Sequence, residues 1–137
     1  MKTIWIFGIL AFFLAAPAVS GADLPDLVGT WEGPDMGYDP LEGYYGEGEN
    51  YTVTLTIAEQ RGRLFNGTIT YLDVNDSEVV EGLAGVIAPD NTTFYIAEFI
   101  AGYDLGTIIS EDEIELLYLR DGEMGGVSLD ILRRVPE

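Results

Sequence analysis

Carboxylates and tyrosines are the residues of this sequence best suited to bind a ligand or to transfer a proton. The chain has 24 aspartates and glutamates and eight tyrosines, but neither histidine nor cysteine. It therefore lacks the usual zinc ligands and the usual general base at neutral pH. Carboxylates bind hard cations and tyrosines offer a rigid face with a hydroxyl group, so we expect a binding protein without catalytic residues or a cofactor.

The segment 32–50 combines both residue types with many glycines, and we predict that it forms one long loop. A loop of this length without secondary structure is often functional. Its tyrosines could stack on a ligand or hold a partner, and its acids could hold a cation, although no EF-hand spacing occurs. The ligand-binding candidates are Tyr38, Tyr44 and Tyr45, and the metal-binding candidates are Asp35, Asp39 and Glu42. The alternative is that the tyrosines plug the mouth of the fold and the acids are solvated.

Glu98 interrupts the apolar run 94–100 and is a further ligand-binding candidate. If the apolar residues that share its parity point inward, its carboxyl group is buried and must be paired or protonated. Arg61 or Arg63 could then be its partner; the alternative is that Glu98 faces solvent. A hydrolase that uses Glu98 with a second acid needs two carboxyl groups at a fixed separation across a cleft, which the spacing alone does not establish.

Alternating apolar and polar residues, with turn signals about every ten residues, predict an all-β fold after the first twenty residues. The clearest strand is 51–57, in which Tyr51, Val53, Leu55 and Ile57 alternate with three threonines. The predicted strands are 27–31, 51–57, 64–72, 78–87, 92–100, 105–109, 113–119 and 127–135.

Eight consecutive strands with short connections predict an antiparallel up-and-down barrel formed by residues 21–137 as one domain. Closure removes the sheet edges that would otherwise invite aggregation. A β-sandwich is the alternative, but it would require longer crossovers. Large residues such as Phe65 and Phe94 favour a filled interior, whereas Gly67 and Gly85 leave room for a small apolar pocket, and both interpretations remain open.

Residues 1–20 have the pattern of a secretory signal peptide. Lys2 precedes an apolar stretch, 4–16, which is short for a membrane span, and small residues permit cleavage after Ser20 or after Ala22. We therefore predict a secreted, extracytoplasmic protein. The alternative is an uncleaved N-terminal anchor, which would be the expected route to a membrane.

The mature chain is strongly acidic. All 24 acidic residues follow the signal segment, where only five arginines oppose them, so the formal charge is −19. Nucleic acids and anionic lipid surfaces require a basic footprint and are excluded as expected partners. A solvated acidic shell suited to high salt and a cation-binding role both remain open, and the oligomeric state is not determined.

Four N-x-S/T sequons make the chain a candidate glycoprotein. They begin at Asn50, Asn66, Asn75 and Asn91, and none has proline in its middle position. Glycans require an exposed acceptor, and these positions fit turns or an outward strand face. Chance use of Asn and Thr in β-structure is the alternative.

The sequence Gly29-Thr30-Trp31 on the first strand, together with Arg133-Arg134 at the end of the last, resembles the calycin superfamily of lipocalins, fatty-acid-binding proteins and avidins. The resemblance implies an eight-stranded barrel in which the tryptophan packs at the closed end beneath an arginine. A guanidinium over an indole gains cation–π attraction. Gly29 and Trp31 would then be structural residues of the barrel base. We favour Arg133 as the arginine because it shares its parity with the apolar residues of that strand.

Within the superfamily the chain is most similar to the avidins, being short and without a C-terminal helix. Trp31 is the only tryptophan after the signal, so the several tryptophans of a biotin pocket are missing and biotin is not expected. The chain also looks similar to small uncharacterised secreted proteins of archaeal type. We expect a non-enzymatic module that binds a small apolar ligand or a protein at the open end, beneath the loop 32–50. The alternative is an acidic structural or envelope-associated surface domain with a filled core, associated with glycans or calcium.

Overall fold

The computed structural model describes residues 23–46, 51–73 and 75–137. The predicted signal segment 1–20 and the sequon asparagine Asn50 lie outside these residues. Every regular element of the described residues is a β-strand, which confirms the all-β prediction. None of the described segments is a helix with the length and apolar character needed to span a membrane.

Nine strands follow one another along the chain. They are β1 (Gly29–Asp39), β2 (Gly43–Tyr45), β3 (Thr52–Arg61), β4 (Leu64–Leu72), β5 (Glu78–Ile87), β6 (Thr93–Glu98), β7 (Tyr103–Ser110), β8 (Glu113–Arg120) and β9 (Gly126–Arg134). All pairings are antiparallel, and from β3 to β9 each strand pairs with the next.

The sheet closes because β1 pairs with β3 on one side and with β9 on the other. Trp31 on β1 lies opposite Leu55 on β3 and opposite Arg134 on β9. Eight strands therefore form the predicted closed antiparallel barrel, and the sandwich alternative is wrong. This architecture is consistent with the general fold of the calycins. The short strand β2 pairs only with the far end of β1 and extends the wall beyond the barrel.

The prediction of a short first strand followed by a loop over 32–50 was wrong for residues 32–46, and residues 47–50 lie outside the described part of the chain. β1 continues to Asp39 and returns through β2 as a hairpin. Two of the glycines that suggested a loop, Gly33 and Gly37, are instead positions within β1 that lie against the backbone of β9. A Cβ on Gly33, for example, would lie 2.1 Å from the carbonyl oxygen of Ile131 on β9, so only glycine lets the two backbones approach this closely.

One half of the barrel is filled with apolar side chains. Trp31, Phe94, Ile87, Ile114 and Leu132 are each at most 1% exposed. Phe65 packs edge-on against Phe94, with ring centroids 6.0 Å apart and an interplanar angle of 72°. These closely packed residues fill this end of the barrel, which we call the base.

Arg134, and not Arg133, covers the tryptophan at the base. Its guanidinium carbon lies 4.1 Å from the centroid of the Trp31 ring. It also donates hydrogen bonds to the carbonyl oxygens of Asp26, Val28 and Glu111. The bonds to Asp26 and Val28 hold the residues that precede β1 across the base, and the bond to Glu111 connects Arg134 to the turn between β7 and β8. Gly29 starts β1 with a φ of 131°, and a Cβ there would lie 3.0 Å from Nη1 of Arg134.

The choice of Arg133 was wrong because β9 carries apolar residues on both faces. Val127 and Leu129, which share its parity, are on the outside of the barrel and are 49% and 36% exposed. Arg133 therefore points outward and forms a 3.0 Å ion pair with Glu113. Leu132, on the opposite face, is fully buried.

Candidate functional site

The half of the barrel opposite Trp31 contains a cavity of about 330 Å³ that opens at the barrel mouth. Tyr45 of β2, Val53 of β3 and Ile69 of β4 line one side, and Met124 lies at the rim. The interior is thus neither wholly filled nor wholly open. The filled base positions the strands, and the cavity occupies the other half.

The inward side chains change from apolar to polar at nearly the same level on seven of the eight barrel strands. On β6, Ile96 is followed by Glu98; on β9, Leu132 is preceded by Asp130. We call these residues the polar ring, and they are Asp35, Tyr71, Glu81, Glu98, Asp104, Tyr118 and Asp130. All residues of the polar ring except Glu81 line the cavity, and together they separate it from the apolar base.

Glu98 faces the interior and contacts two other acids of the polar ring. Its carboxyl group is within hydrogen-bonding reach of Glu81 and Asp104. Burial, with the charges of Asp104 and Glu81, raises the pKa of Glu98 to about 9. Neither arginine predicted to pair with it does so: Arg61 binds Glu59, and Arg63 donates to the carbonyl oxygen of Ile87. Glu98 therefore lies beside other acids and not beside a cation.

Glu81 anchors this acid group to the barrel wall. It is 4% exposed and accepts a 3.0 Å hydrogen bond from the Tyr71 hydroxyl and a 2.8 Å bond from the backbone N–H of Ile100. Both of its oxygens thus have donors, as a buried carboxylate requires. The phenol of Tyr71, buried and beside a carboxylate, has a raised pKa and remains a donor.

Asp104 differs from Glu81 because its oxygens have no such donors. The residue is 1% exposed, and neither Oδ1 nor Oδ2 accepts a hydrogen bond from a hydroxyl, amide or guanidinium group within the described part of the chain. Its polar contact is with the carboxyl group of Glu98. Burial raises the pKa of Asp104 to about 7, and the charge of Glu81 adds to the rise.

A second pair of acids, Asp35 and Asp130, lies on adjacent strands β1 and β9 in direct register. Asp130 is 2% exposed; its Oδ2 accepts a 3.2 Å bond from Ser128, but its Oδ1 has no donor among the described residues. Burial and the charge of Asp35 raise the pKa of Asp130 to about 9. Burial also raises the pKa of Asp35, which accepts a 3.4 Å bond from the Tyr45 hydroxyl.

The three predicted tyrosines take different positions on the hairpin formed by β1 and β2. Tyr45 faces the cavity and packs edge-on against Tyr51, with ring centroids 5.6 Å apart. Tyr38 lines the rim but is 61% exposed, and its ring contacts that of Tyr44 at 5.3 Å. Tyr44 lies outside the cavity. Tyr45 is therefore the tyrosine of the three that reaches the polar ring.

The structure does not gather the predicted metal ligands Asp35, Asp39 and Glu42. Asp35 turns inward to Asp130, whereas Asp39 accepts hydrogen bonds from the backbone N–H groups of Leu41 and Glu42. Glu42 itself is exposed. No group of three or more acidic side chains in the described ranges is arranged to hold a metal ion.

Three sequons fall within the described residues. Asn66 on β4 and Asn75 in the β4–β5 turn are exposed, whereas Asn91 adopts a φ of 57° in the β5–β6 turn and is half-buried. The positions of Asn66 and Asn75 fit the surface placement that a glycan acceptor requires.

Sequence reasoning missed Glu81, Asp104 and Asp130. Asp104 precedes the predicted strand 105–109, although β7 begins at Tyr103. Asp130 lies within the predicted strand 127–135, but nothing in its sequence surroundings singled it out as a site residue. One signal was present in the sequence. Glu81 interrupts the apolar strand 79–87 in the same way that Glu98 interrupts the apolar run 94–100. Period-2 alternation along both strands would have predicted an inward acid on each of two paired strands.

Comparison with known proteins adds no family assignment. Neither the protein-family models nor the curated proteins provide a match to this chain. Its function must therefore be argued from the barrel, the cavity and the polar ring.

Proposed function

We propose that this protein is a non-enzymatic binding module of calycin type whose ligand occupies the cavity at the open end of the barrel. The observation that carries the proposal is the cavity itself, about 330 Å³ beneath the β1–β2 hairpin. Small-molecule sites are concave, largely pre-formed and lined by apolar and aromatic groups with a few polar ones. The contact of Arg134 with Trp31 supports the calycin assignment because it closes the opposite end.

The ligand that fits this cavity carries a polar group as well as an apolar body. Val53 and Ile69 supply apolar wall, but the floor contains buried carboxyl groups, two of them with oxygens that lack donors. A purely apolar ligand would displace water from these groups without replacing its hydrogen bonds. The proposed ligand is therefore amphipathic, a narrower class than the apolar ligand expected from the sequence.

The proposed location is outside the cytoplasm, as the signal-like segment 1–20 predicts. A barrel with a filled base does not require disulfides, and the chain has no cysteine. The strong negative charge would keep such a module soluble and separate from nucleic acids and anionic lipids.

Native mass spectrometry of the protein purified from its own source tests the proposal. We expect a bound small molecule in addition to the chain mass. Ser128→Trp fills the cavity from β9 and should abolish the adduct, whereas Thr107→Trp, on the exposed face of β7, should retain it. An adduct that survives Ser128→Trp, or wild-type protein with no adduct, contradicts the proposal.

The contact between Glu98 and Asp104 supports a second candidate function, a hydrolase that uses paired carboxyl groups. Two acids that share a proton can act as acid and base in turn. This candidate ranks second because both acids are packed in the floor against Glu81, which already binds Glu98. Incubation with p-nitrophenyl glycosides and a peptide mixture tests it: turnover that Asp104→Asn abolishes would make it the first candidate.

A further inference from the structure

We propose that the ligand of this cavity is a small organic cation whose ammonium group binds between Asp104 and Asp130, an inference that rests on the proposed function. The two residues face the cavity from β7 and β9, with β8 between them. Both are at least nine-tenths buried, being 1% and 2% exposed. Inward side chains of strands separated by one neighbour can both reach a ligand on the barrel axis.

The number of unsatisfied acceptors matches the donors of a primary ammonium group. Oδ1 and Oδ2 of Asp104 and Oδ1 of Asp130 are buried and accept no hydrogen bond from a hydroxyl, amide or guanidinium group of the described residues; their polar neighbours are the carboxyl groups of Glu98 and Asp35. A primary ammonium has three N–H donors and no acceptor. Buried carboxylate oxygens nearly always have partners in folded proteins, so three such oxygens in one cavity indicate a missing donor group.

No arginine of the described residues forms an ion pair with these acids. The ion pairs of the described residues are Arg61 with Glu59, Arg133 with Glu113 and Arg134 with Asp112, all away from the cavity. Arg120 is the arginine at the cavity rim, and its side chain is exposed. A carboxyl group of this site can donate a hydrogen bond to its neighbour only while it is protonated. A bound ammonium group would replace those protons as the hydrogen-bond donor, and its positive charge would neutralise the ionised carboxylates.

Three other ligand chemistries fit less well. An anion would be repelled by the carboxyl groups of the floor, and a neutral apolar molecule would leave their oxygens without donors. A metal ion needs several converging ligands, and no group of three or more acids in the described ranges meets that requirement. An organic ammonium needs fewer fixed ligands because it binds through hydrogen bonds and can also use the faces of aromatic rings.

The remainder of the cavity suits the body of such a ligand. Tyr45, Tyr51 and Tyr118 present rings, and Val53 and Ile69 present aliphatic surface. The hydroxyl of Tyr118 is already used, since it donates a 3.0 Å bond to the carbonyl oxygen of Ala101. The cavity walls therefore offer mainly aromatic and aliphatic surface. An amine attached to an aromatic or short aliphatic body would fill the space.

Isothermal titration calorimetry with a charged and an uncharged probe of the same shape tests the inference. Phenethylamine carries an ammonium at pH 8, whereas 2-phenylethanol has a hydroxyl in its place. We expect phenethylamine to bind at least ~10-fold more tightly, a difference of about 1.4 kcal/mol. Asp104→Asn and Asp130→Asn should remove most of that preference. Asp121→Asn, which makes the same substitution in an exposed turn near the mouth, should retain it.

Each outcome of this titration supports or overturns the inference. Equal or tighter binding of 2-phenylethanol overturns the cationic ligand but leaves a binding cavity, so the proposed function would stand. A preference for the amine that is unchanged in both Asp104→Asn and Asp130→Asn assigns the charge effect to the acidic surface and overturns the site. Binding of neither probe overturns the inference, and the adduct measurement with Ser128→Trp then decides the proposed function separately. Urea unfolding of each variant shows that it folds.

Discussion

At the scale of single residues, the buried acids of the polar ring are the feature that sets this barrel apart from a filled one. Glu98, Asp104 and Asp130 all have raised pKa values, chiefly because burial disfavours their charged forms. A chain without histidine or cysteine has no other side chain of ordinary pKa that titrates between pH 6 and pH 9. The polar ring therefore dominates the pH response of the protein in that range.

We expect the melting temperature to fall as the pH rises from 6 to 9, by roughly 5 °C or more. The folded-state pKa values of Glu98 and Asp130, about 9, and of Asp104, about 7, exceed their unfolded values near 4. Above pH 4 the folded chain thus holds protons that the unfolded chain has lost, so this contribution to stability falls continuously with rising pH and is gone once the pH has passed the folded-state pKa values. Thermal unfolding followed by circular dichroism measures it.

Two matched variants control this pH experiment. Asp130→Asn removes one of the titrating groups and should flatten the slope, whereas Asp121→Asn removes an exposed acid and should leave the slope unchanged. A melting temperature that stays constant or rises between pH 6 and pH 9 would show that these acids are ionised throughout in the folded protein.

The neighbouring arginines Arg133 and Arg134 provide a second test at the residue scale. Arg134→Ala removes three hydrogen bonds to backbone carbonyl groups and the contact with Trp31, and we expect a loss of about 2 kcal/mol or more. Arg133→Ala removes an exposed ion pair with Glu113 and should cost less than about 1 kcal/mol. Urea unfolding measures both, and equal losses would refute the assignment of Arg134 to the base.

At the scale of strands, β5 contains two glycines that lie under phenyl rings on opposite faces of the barrel wall. A Cβ on Gly85 would lie 2.1 Å from the ring of Phe65, which is 4% exposed, and a Cβ on Gly82 would lie 2.8 Å from the ring of Phe99, which is 69% exposed. A buried ring has no room to move, whereas an exposed one can rotate away. The consequence of filling the two positions should therefore differ.

We expect Gly85→Ala to destabilise the barrel by about 1–3 kcal/mol through overpacking. Gly82→Ala, the matched change on the outer face, should alter stability by less than about 0.5 kcal/mol. The double variant Phe65→Leu/Gly85→Ala should be more stable than the sum of the two single effects, because leucine vacates the space that the new methyl group needs. Additive effects in urea unfolding would show that the ring does not confine position 85.

At the scale of the whole molecule, the excess of negative charge is the main influence on stability that no single contact explains. A chain with a formal net charge of −18 repels itself, and salt screens that repulsion between exposed groups. The outer surface also carries exposed apolar residues, such as Leu117 on β8 and Val127 on β9, so charge contributes to solubility as well. Both effects predict a protein that prefers high ionic strength.

We expect the melting temperature to rise steadily with salt and to depend on ionic strength instead of on the type of cation. Sodium chloride and calcium chloride at equal ionic strength should give nearly the same increase, because no acid group in the described residues is arranged as a metal site. Differential scanning fluorimetry from low to molar salt measures this. Selective stabilisation by millimolar calcium would instead demonstrate a specific site.

Much of the fold could be predicted from the sequence because strand alternation and turn residues are local signals. The boundaries of β4 and β5 match the prediction, and those of β8 differ by one residue. The order of the strands then required closure, since an open sheet of this length would expose its edges. The error over 32–50 arose because glycine signals a loop locally but permits close backbone approach within a curved strand.

The candidate site was predicted only in part, through Glu98, Tyr45 and Asp35, the last as a metal-binding candidate. Alternation along a strand tells which residues share a face but not which face is inward when both carry apolar residues, as on β9. Strand composition, turn residues and net charge were therefore enough to predict an acidic β-barrel from the sequence alone. Tertiary structure decided that acids distant in sequence, such as Asp35 and Asp130, meet inside it, because their proximity depends on barrel closure and register, which no local spacing encodes.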